Sequence, residues 1–212
     1  YYPRNGHLNR DPQHTNLHKK QAIMKLRKAT REDARLIGES VVSAIGEEIT
    51  DSLAGEKFGR EDVIDLFTTL AMREDTQYSY LNTLVAEEEN GEAAGVAVAY
   101  DGANLDRMRS VFFKAVKERL ERDMSAMGDE CEAGEFYLDT LAVRPAYRGR
   151  GYARALIEGT ARRAAECGKP LGLLVEKENH PARRLYDSCG FKQVGETPFA
   201  FVLMDHLQMS ER

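Results

Sequence analysis

The chain has only three cysteines among its 212 residues, Cys131, Cys167 and Cys189, and no two stand in a CxxC spacing. An odd, scattered set excludes a disulfide framework as the organising principle and gives no thiolate zinc site. No apolar run approaches the ~20 residues of a membrane-spanning helix, and the first residues lack the apolar stretch of a secretion signal. The expectation is a cytoplasmic protein with reduced thiols and no membrane partner. There is no cationic excess either. Thirty Lys and Arg stand against 35 Asp and Glu, for a formal charge of -5, so the basic footprint of non-specific nucleic-acid binding is missing. Two phosphate-binding patterns are also absent. No GxxxxGK[ST] occurs, and Gly149-Arg150-Gly151 continues as Tyr152-Ala153-Arg154, which does not fit GxGxxG.

What is present supports one domain. Hydrophobic residues make up 42% of the chain, enough for a sizeable core. Residues 1–23 differ from the rest, being rich in Asn, His, Pro and basic residues without periodicity. They read as an extension, of vector origin or upstream of the natural start, with the domain running from Met24 to residue 212. His7, His14 and His18 lie in this extension at spacings of seven and four, which suits a solvated tail better than a metal tract; no metal site is expected.

From Met24 onward helical and strand periods alternate. A short strand over 24–27 precedes Thr30, which can cap a helix over 31–46 with Asp33 three residues on. A second helix is expected at about 60–72. Two strands follow, at 81–88 and 93–100, joined by the turn signal Glu89-Asn90-Gly91. Leu105, Met108, Phe112, Val116, Leu120, Met124 and Met127 recur at spacings of three and four, predicting a long amphipathic helix over 104–127. A strand at 135–143 leads through a glycine turn into a helix that ends at Cys167. A strand at 171–176, a helix capped by Asn179 and ended by Gly190, and strands at 191–195 and 200–206 complete the chain. The class is α/β or α+β, with a mixed central sheet flanked by helices.

The chemistry concentrates after the strand at 135–143. Gly149 and Gly151 let backbone approach a ligand closely, and the first N–H groups of the following helix have no internal partner. Strand, glycine turn and helix N-terminus together make a cradle for phosphate, with Arg148 and Arg150 adding positive charge. On these residues alone, a tight turn with solvated arginines fits as well.

The wider pattern separates the two. Arg148-x-x-Gly151-x-Ala153, preceded by Leu141-Ala142-Val143-x-Pro145, resembles the pyrophosphate motif of the GNAT acetyltransferases. Asn179-x-x-Ala182-x-x-Leu185-Tyr186-x-x-x-Gly190-Phe191 is similar to that family's second signature. The close likeness covers 136–195 and a looser one about 24–206. The resemblance implies a GNAT fold and acetyl-CoA as acyl donor. It implies pantetheine along the backbone of Leu141, Ala142 and Val143, and pyrophosphate on the N–H groups of Gly149, Arg150, Gly151, Tyr152 and Ala153. Asn179, Ala182 and Tyr186 would flank the thioester end. It further implies direct transfer to an amine, with Tyr186 as the acid that protonates the leaving thiolate. Asp139 is the first choice of base, acting through water, and Glu176 the second.

Tyr186 also fits a core-facing role on its helix, and either carboxylate fits a solvated one. Leu174 stands where some relatives that acetylate protein N-termini carry a Glu five residues before the Asn, so that acceptor class is disfavoured. The expected acceptor is a small-molecule primary amine. The alternatives are a protein lysine or N-terminus, or a non-catalytic acyl-CoA-binding regulatory domain. The apolar stripe of the 104–127 helix must bury against something, either as a wall of the acceptor site or as a homodimer contact.

Overall fold

The computed structural model describes residues 24–200 and 202–209. The N-terminal extension and its histidines lie outside the described residues. Seven strands form one sheet: β1 (Lys25–Lys28), β2 (Thr83–Glu87), β3 (Ala93–Asp101), β4 (Phe136–Val143), β5 (Leu171–Glu176), β6 (Lys192–Phe199) and β7 (Val202–Met209). Their spatial order is β1-β2-β3-β4-β5-β7-β6, and every neighbouring pair is antiparallel except β4 and β5. Five helices cover the sheet: α1 (Ala34–Ala54), α2 (Arg60–Ala71), α3 (Leu105–Leu120), α4 (Tyr152–Glu166) and α5 (His180–Cys189).

The central strands β2 and β3 are buried on both faces, and their alternation sorts the two layers. Val85, Val96 and Val98 pack with α1, α2 and α3, whereas Leu84, Ala86, Ala97 and Ala99 pack with α4. The small side chains on the second face let α4 sit close. A Cβ on Gly159 of α4 would stand 2.7 Å from Leu26 Cδ1 of β1, tighter than the packing allows.

Two helices depart from their expected bounds. Helix α1 continues eight residues beyond the expected end, to Ala54, through a kink at Gly46, where φ is 78°. Helix α3 stops at Leu120, short of the expected 127, because Glu121 turns into the left-handed region at φ 56°. Met124 and Met127 keep the apolar spacing and pack on the core, but from a turn in which Met127 N–H donates to Met124 O at 3.0 Å. Spacing records which residues are buried, and here it outlasts the helix. The last two strands begin one and two residues later than expected and end four and three residues later.

The α3 stripe is covered within the chain. Phe112 stacks on Phe67 at 5.8 Å and meets Tyr78 edge-on at 5.4 Å between ring centroids; Val116 and Leu120 join the same core. The stripe therefore leaves no apolar face to motivate a dimer contact. Truncation of Phe112, 3% exposed, should create a cavity costing about 3–5 kcal/mol. Urea denaturation of Phe112→Ala measures it; a loss below about 1 kcal/mol would show that α3 is not docked this way.

Candidate active site

The site begins with one extra residue in β4. Across the β3–β4 ladder Val98 faces Thr140 and Ala99 faces Leu138, so Asp139 has no partner and forms a β-bulge. The side-chain alternation changes phase there. Phe136 and Leu138 before the bulge and Leu141 and Val143 after it all pack in the α4 layer, while Tyr137 packs on the opposite face with Tyr100 and Met108. A bulge bends its strand and sharpens the twist. Correspondingly, β4 pairs with β5 only at Phe136–Leu171 and Tyr137–Gly172. Beyond these two rungs the parallel strands separate into a V whose closed end lies beside Asp139.

The geometry also fixes which backbone groups line the gap. Arg144 N–H donates to Ala94 O at 2.8 Å, toward β3. Alternation along a strand then turns Ala142 toward β3 and leaves the amides of Leu141 and Val143 facing the opening. Arg148 Nε donates to Val143 O at 3.1 Å, which fits that orientation.

At the wide end of the V, the turn and helix start form as the sequence suggests. Gly149 and Gly151 have φ of 72° and 91°, a region disfavoured for residues bearing a Cβ. Gly151 is the N-cap of α4, so the N–H groups of the first turn point out of the helix end. Two adjoining cavities, of about 270 and 330 Å³, run from here along β4; they share Val143, Arg148, Ala153 and Leu185. Leu141, Ala142, Ala182 and Tyr186 line the inner one, together with Ser43 and Ala44 of α1. Gly149, Gly151 and Tyr152 line the outer one. The phenol of Tyr152 is turned into the core, where its hydroxyl donates to Glu88 Oε1 at 2.8 Å, so toward the cavity it offers backbone. A larger groove of about 650 Å³ lies between the far parts of α4, α5 and β7, with Arg154, Glu158, Arg162 and Cys189 in its lining and none of the expected site residues.

Four expected residues line neither cavity: Asp139, which lies two residues before Leu141 on β4, and Arg150, Asn179 and Glu176. Arg150 pairs with Glu88 and lies over the rings of Tyr147 and Tyr152. Asn179 caps α5, its Oδ1 accepting from Ala182 N–H at 3.2 Å. Glu176 is exposed at the end of β5, paired across the sheet with Met204.

The two principal chemical residues sit in different surroundings. Tyr186 packs edge-on against Phe191 with centroids 5.6 Å apart, and burial, with a smaller effect of Cys189, pushes its phenol up to about 12. Asp139 is pushed up to about 6 by burial, against the opposing effect of hydrogen bonds from Thr140 Oγ1 at 2.8 Å and the Tyr100 hydroxyl at 3.3 Å. Sequence reasoning missed the groups around Asp139. Tyr100 reaches it from β3, and Glu130, 3% exposed, enters from the segment between α3 and β4. Burial first, then the charge of Asp139, push Glu130 up to about 7 against the pull of Arg109. A half-open V with unpaired strand edges, a helix start fitted for an anion, and a poised carboxylate at its closed end can hold an extended phosphate-bearing ligand and move a proton at its tip.

Comparison with known proteins identifies the family and the fold. The model of the acetyltransferase (GNAT) family matches residues 47–191. A crystal structure of an acetyltransferase is 29% identical and superposes with a TM-score of 0.69, over 89% of this chain and all of that one. An N-acetyltransferase from Staphylococcus aureus Mu50, 24% identical, gives a TM-score of 0.71 over 87% of this chain and all of its own. YncA from Salmonella typhimurium, solved with its cofactor acetyl-CoA, shares the fold at 18% identity and a TM-score of 0.50, over 89% of this chain and 95% of its own. A comparison with curated proteins gives no significant match.

The raised carboxyl groups make stability depend on pH in a defined direction. A carboxyl whose folded value exceeds its unfolded one binds the proton more tightly when folded, so its contribution is complete below the unfolded value and is lost as pH rises through the folded one. Asp139 moves from 3.8 to about 6 and Glu130 from 4.5 to about 7; stability should therefore fall between pH 4 and 7. Tyr100 donates to Oδ2 of Asp139 and Thr140 to Oδ1; Asp139→Asn keeps one of these acceptors, puts an amide NH2 in place of the other, and loses the charge. It should be more stable than wild type by roughly 2 kcal/mol at pH 8 and equal to it near pH 4. Denaturant titration across this range checks the sign, and a variant less stable at pH 8 contradicts the assignment.

Proposed function

The chain belongs to the acetyltransferase (GNAT) family, and from that membership we propose that it acetylates a primary amine of a small molecule, with Asp139 as base and Tyr186 as acid. The enzyme is an acetyl-CoA-dependent N-acetyltransferase. The observation that supports the finer reading is the bulge at Asp139, next to the two rungs where the V closes, with Tyr186 on the wall of the cavity that runs along Leu141 to Val143. In this reading residues 24–212 form the acetyltransferase domain and residues 1–23 an extension to it.

Acetyl-CoA supplies an activated acyl group as a thioester. Toward it the chain offers the amides of Leu141 and Val143 as an added-strand edge, and the α4 start from Gly149 to Ala153, beside Arg148, as the pyrophosphate seat. Three side chains described above take lesser parts. Asn179 fixes the start of α5 and so the position of Ala182 and Tyr186. Arg150 adds positive field outside the seat, and Glu176 belongs to the solvated rim, a weaker candidate for base than Asp139.

An alkyl ammonium with a pKa of ~10.4 must lose a proton before it attacks. Asp139, raised to about 6, is largely ionised at neutral pH before the reaction and takes that proton, directly or through water, becoming the neutral carboxylic acid. Tyr186 holds its proton throughout this range. A phenol at about 12 is a weaker acid than a thiol near ~8.5, so Tyr186 acts first as a hydrogen-bond donor to charge growing on sulfur, and the proton follows as the bond breaks. The net acidic charge and the carboxylates behind the V favour a cationic acceptor.

Thiol release from acetyl-CoA, followed against a panel of small amines and short peptides, tests the proposal. Turnover is expected with a small amine. Tyr186→Phe should lower kcat roughly 10–100-fold and Asp139→Asn roughly 100–1,000-fold, with KM for acetyl-CoA little changed. Turnover confined to peptides would move the acceptor class to proteins. CoA binding with no turnover across the panel would favour a regulatory domain.

A further inference from the structure

Behind Asp139 lies a group of buried polar side chains that the reaction as described leaves unused. The Tyr100 hydroxyl stands 3.1 Å from Glu130 Oε1 and 3.3 Å from Asp139 Oδ2. A phenol has one proton, so with both carboxyls ionised only one of these contacts is a hydrogen bond. Glu130 is short of partners in a second way. Its Oε1 accepts from Gln77 Nε2 at 3.2 Å, but its Oε2 and Gln77 Oε1 are both buried without a hydrogen-bond partner. Arg109 Nη2 lies 3.1 Å from Glu130 Oε2, yet its hydrogens are committed to Met127 O at 3.2 Å and to Gly128 O, while Nη1 pairs with Asp129. Glu130 thus has a charge nearby and no donor for its second oxygen. A buried acceptor left this way costs about 1–3 kcal/mol, and it disfavours the ionised form of Glu130, whose other oxygen, Oε1, faces the Tyr100 hydroxyl.

We propose that Glu130, Tyr100 and Asp139 act as one composite base, in which the proton taken from the acceptor amine at Asp139 is held across the Tyr100 hydroxyl by both carboxyls. The inference rests on the reading of Asp139 as base. The transfer breaks the amine N–H bond and forms an O–H bond on Asp139. That proton moves to the Tyr100 oxygen as the Tyr100 proton moves to Glu130, and the pair of carboxylates gains one proton in all. Once the pair carries it, both Tyr100 contacts are hydrogen bonds, so proton uptake finishes a network that is incomplete before the reaction. Between turnovers the proton leaves by the same path, since Asp139 keeps part of its surface accessible and Glu130 does not.

The groups facing this relay do not compete for the proton near neutrality. Tyr78, Tyr100 and Tyr137 are all raised well above the ordinary phenol range by burial and by Asp139 and Glu130, and burial likewise raises the neighbouring Cys131 thiol. Arg109 approaches from α3 as the fixed positive charge. Glu130 is a positioning residue in this scheme, acting through Tyr100 and Asp139.

The test is the pH dependence of kcat/KM together with carboxyl titration of the free protein by infrared difference spectroscopy. Wild type should show a rising limb near pH 7 and one proton shared by two carboxyls. Glu130→Gln, which removes a neighbouring negative charge, should move the limb lower by about one pH unit, and Tyr100→Phe, which removes a donor that favours the ionised carboxyls, should move it higher. Each should reduce the pH-independent rate about tenfold and replace the shared band with separate carboxyl titrations. If both variants lose rate but keep the limb and the band, Glu130 is structural and the composite base is wrong. Asp139→Asn separates this from the parent reading. Full activity in that variant overturns Asp139 as base, whereas loss there with unmoved limbs in the other two overturns only the relay.

Discussion

Asp139 is one residue too many for the ladder it sits in, and the working part of the molecule follows from that. An extra residue in an antiparallel strand cannot be accommodated flat; the strand bends and its alternation slips by one. In β4 the slip lets Phe136, Leu138, Leu141 and Val143 all serve the α4 core layer while Tyr137 faces the opposite way. The bend limits pairing with β5 to two rungs. A sheet interior with unpaired edges would ordinarily be a defect, because backbone polar groups taken from water need partners. In this fold the unpaired stretch is open, and it is the place where another extended chain can add its own hydrogen bonds.

The same bulge couples binding to chemistry. It sets the carboxylate of Asp139 at the point where the V closes and places it among Tyr100, Thr140 and Glu130, in surroundings that penalise charge. The low net cost of holding one proton there, against the high cost of holding none, is what a base near neutrality needs. The segment after α3 contributes through Glu130. The apolar stripe that begins on α3 is spent inside the chain, Phe112, Val116 and Leu120 on the core with α1 and α2, and Leu105 and Met108 beside Tyr100 and Tyr137.

Much of this was legible in the residues because it is local. Gly149, Gly151 and the helix that follows are a turn with its own signature, and Asn179 caps α5 from within four residues. The strand–helix order and the buried faces follow from period alone. The bulge was not legible, since Phe136 to Val143 reads as an unbroken strand and the register is set by β3, some forty residues earlier. The end of α3 was hidden by Met124 and Met127, which repeat at helical spacing while packing from a turn. Glu130 was hidden because its partners Gln77, Tyr100 and Arg109 come from three other segments. The cavity contributions of Ser43 and Ala44 likewise depend on where α1 is laid across β4. Long-range placement, and not residue type, separates what the chain announces from what only its fold reveals.

Backbone hydrogen exchange with and without CoA tests the opened strand most directly. The account predicts that CoA slows exchange at the amides of Leu141 and Val143, and at those from Gly149 to Ala153, while Ala142, turned toward β3, is unaffected. Equal rates at Leu141 and Val143 in the presence of saturating CoA, or protection confined to the groove between α4, α5 and β7, would contradict it.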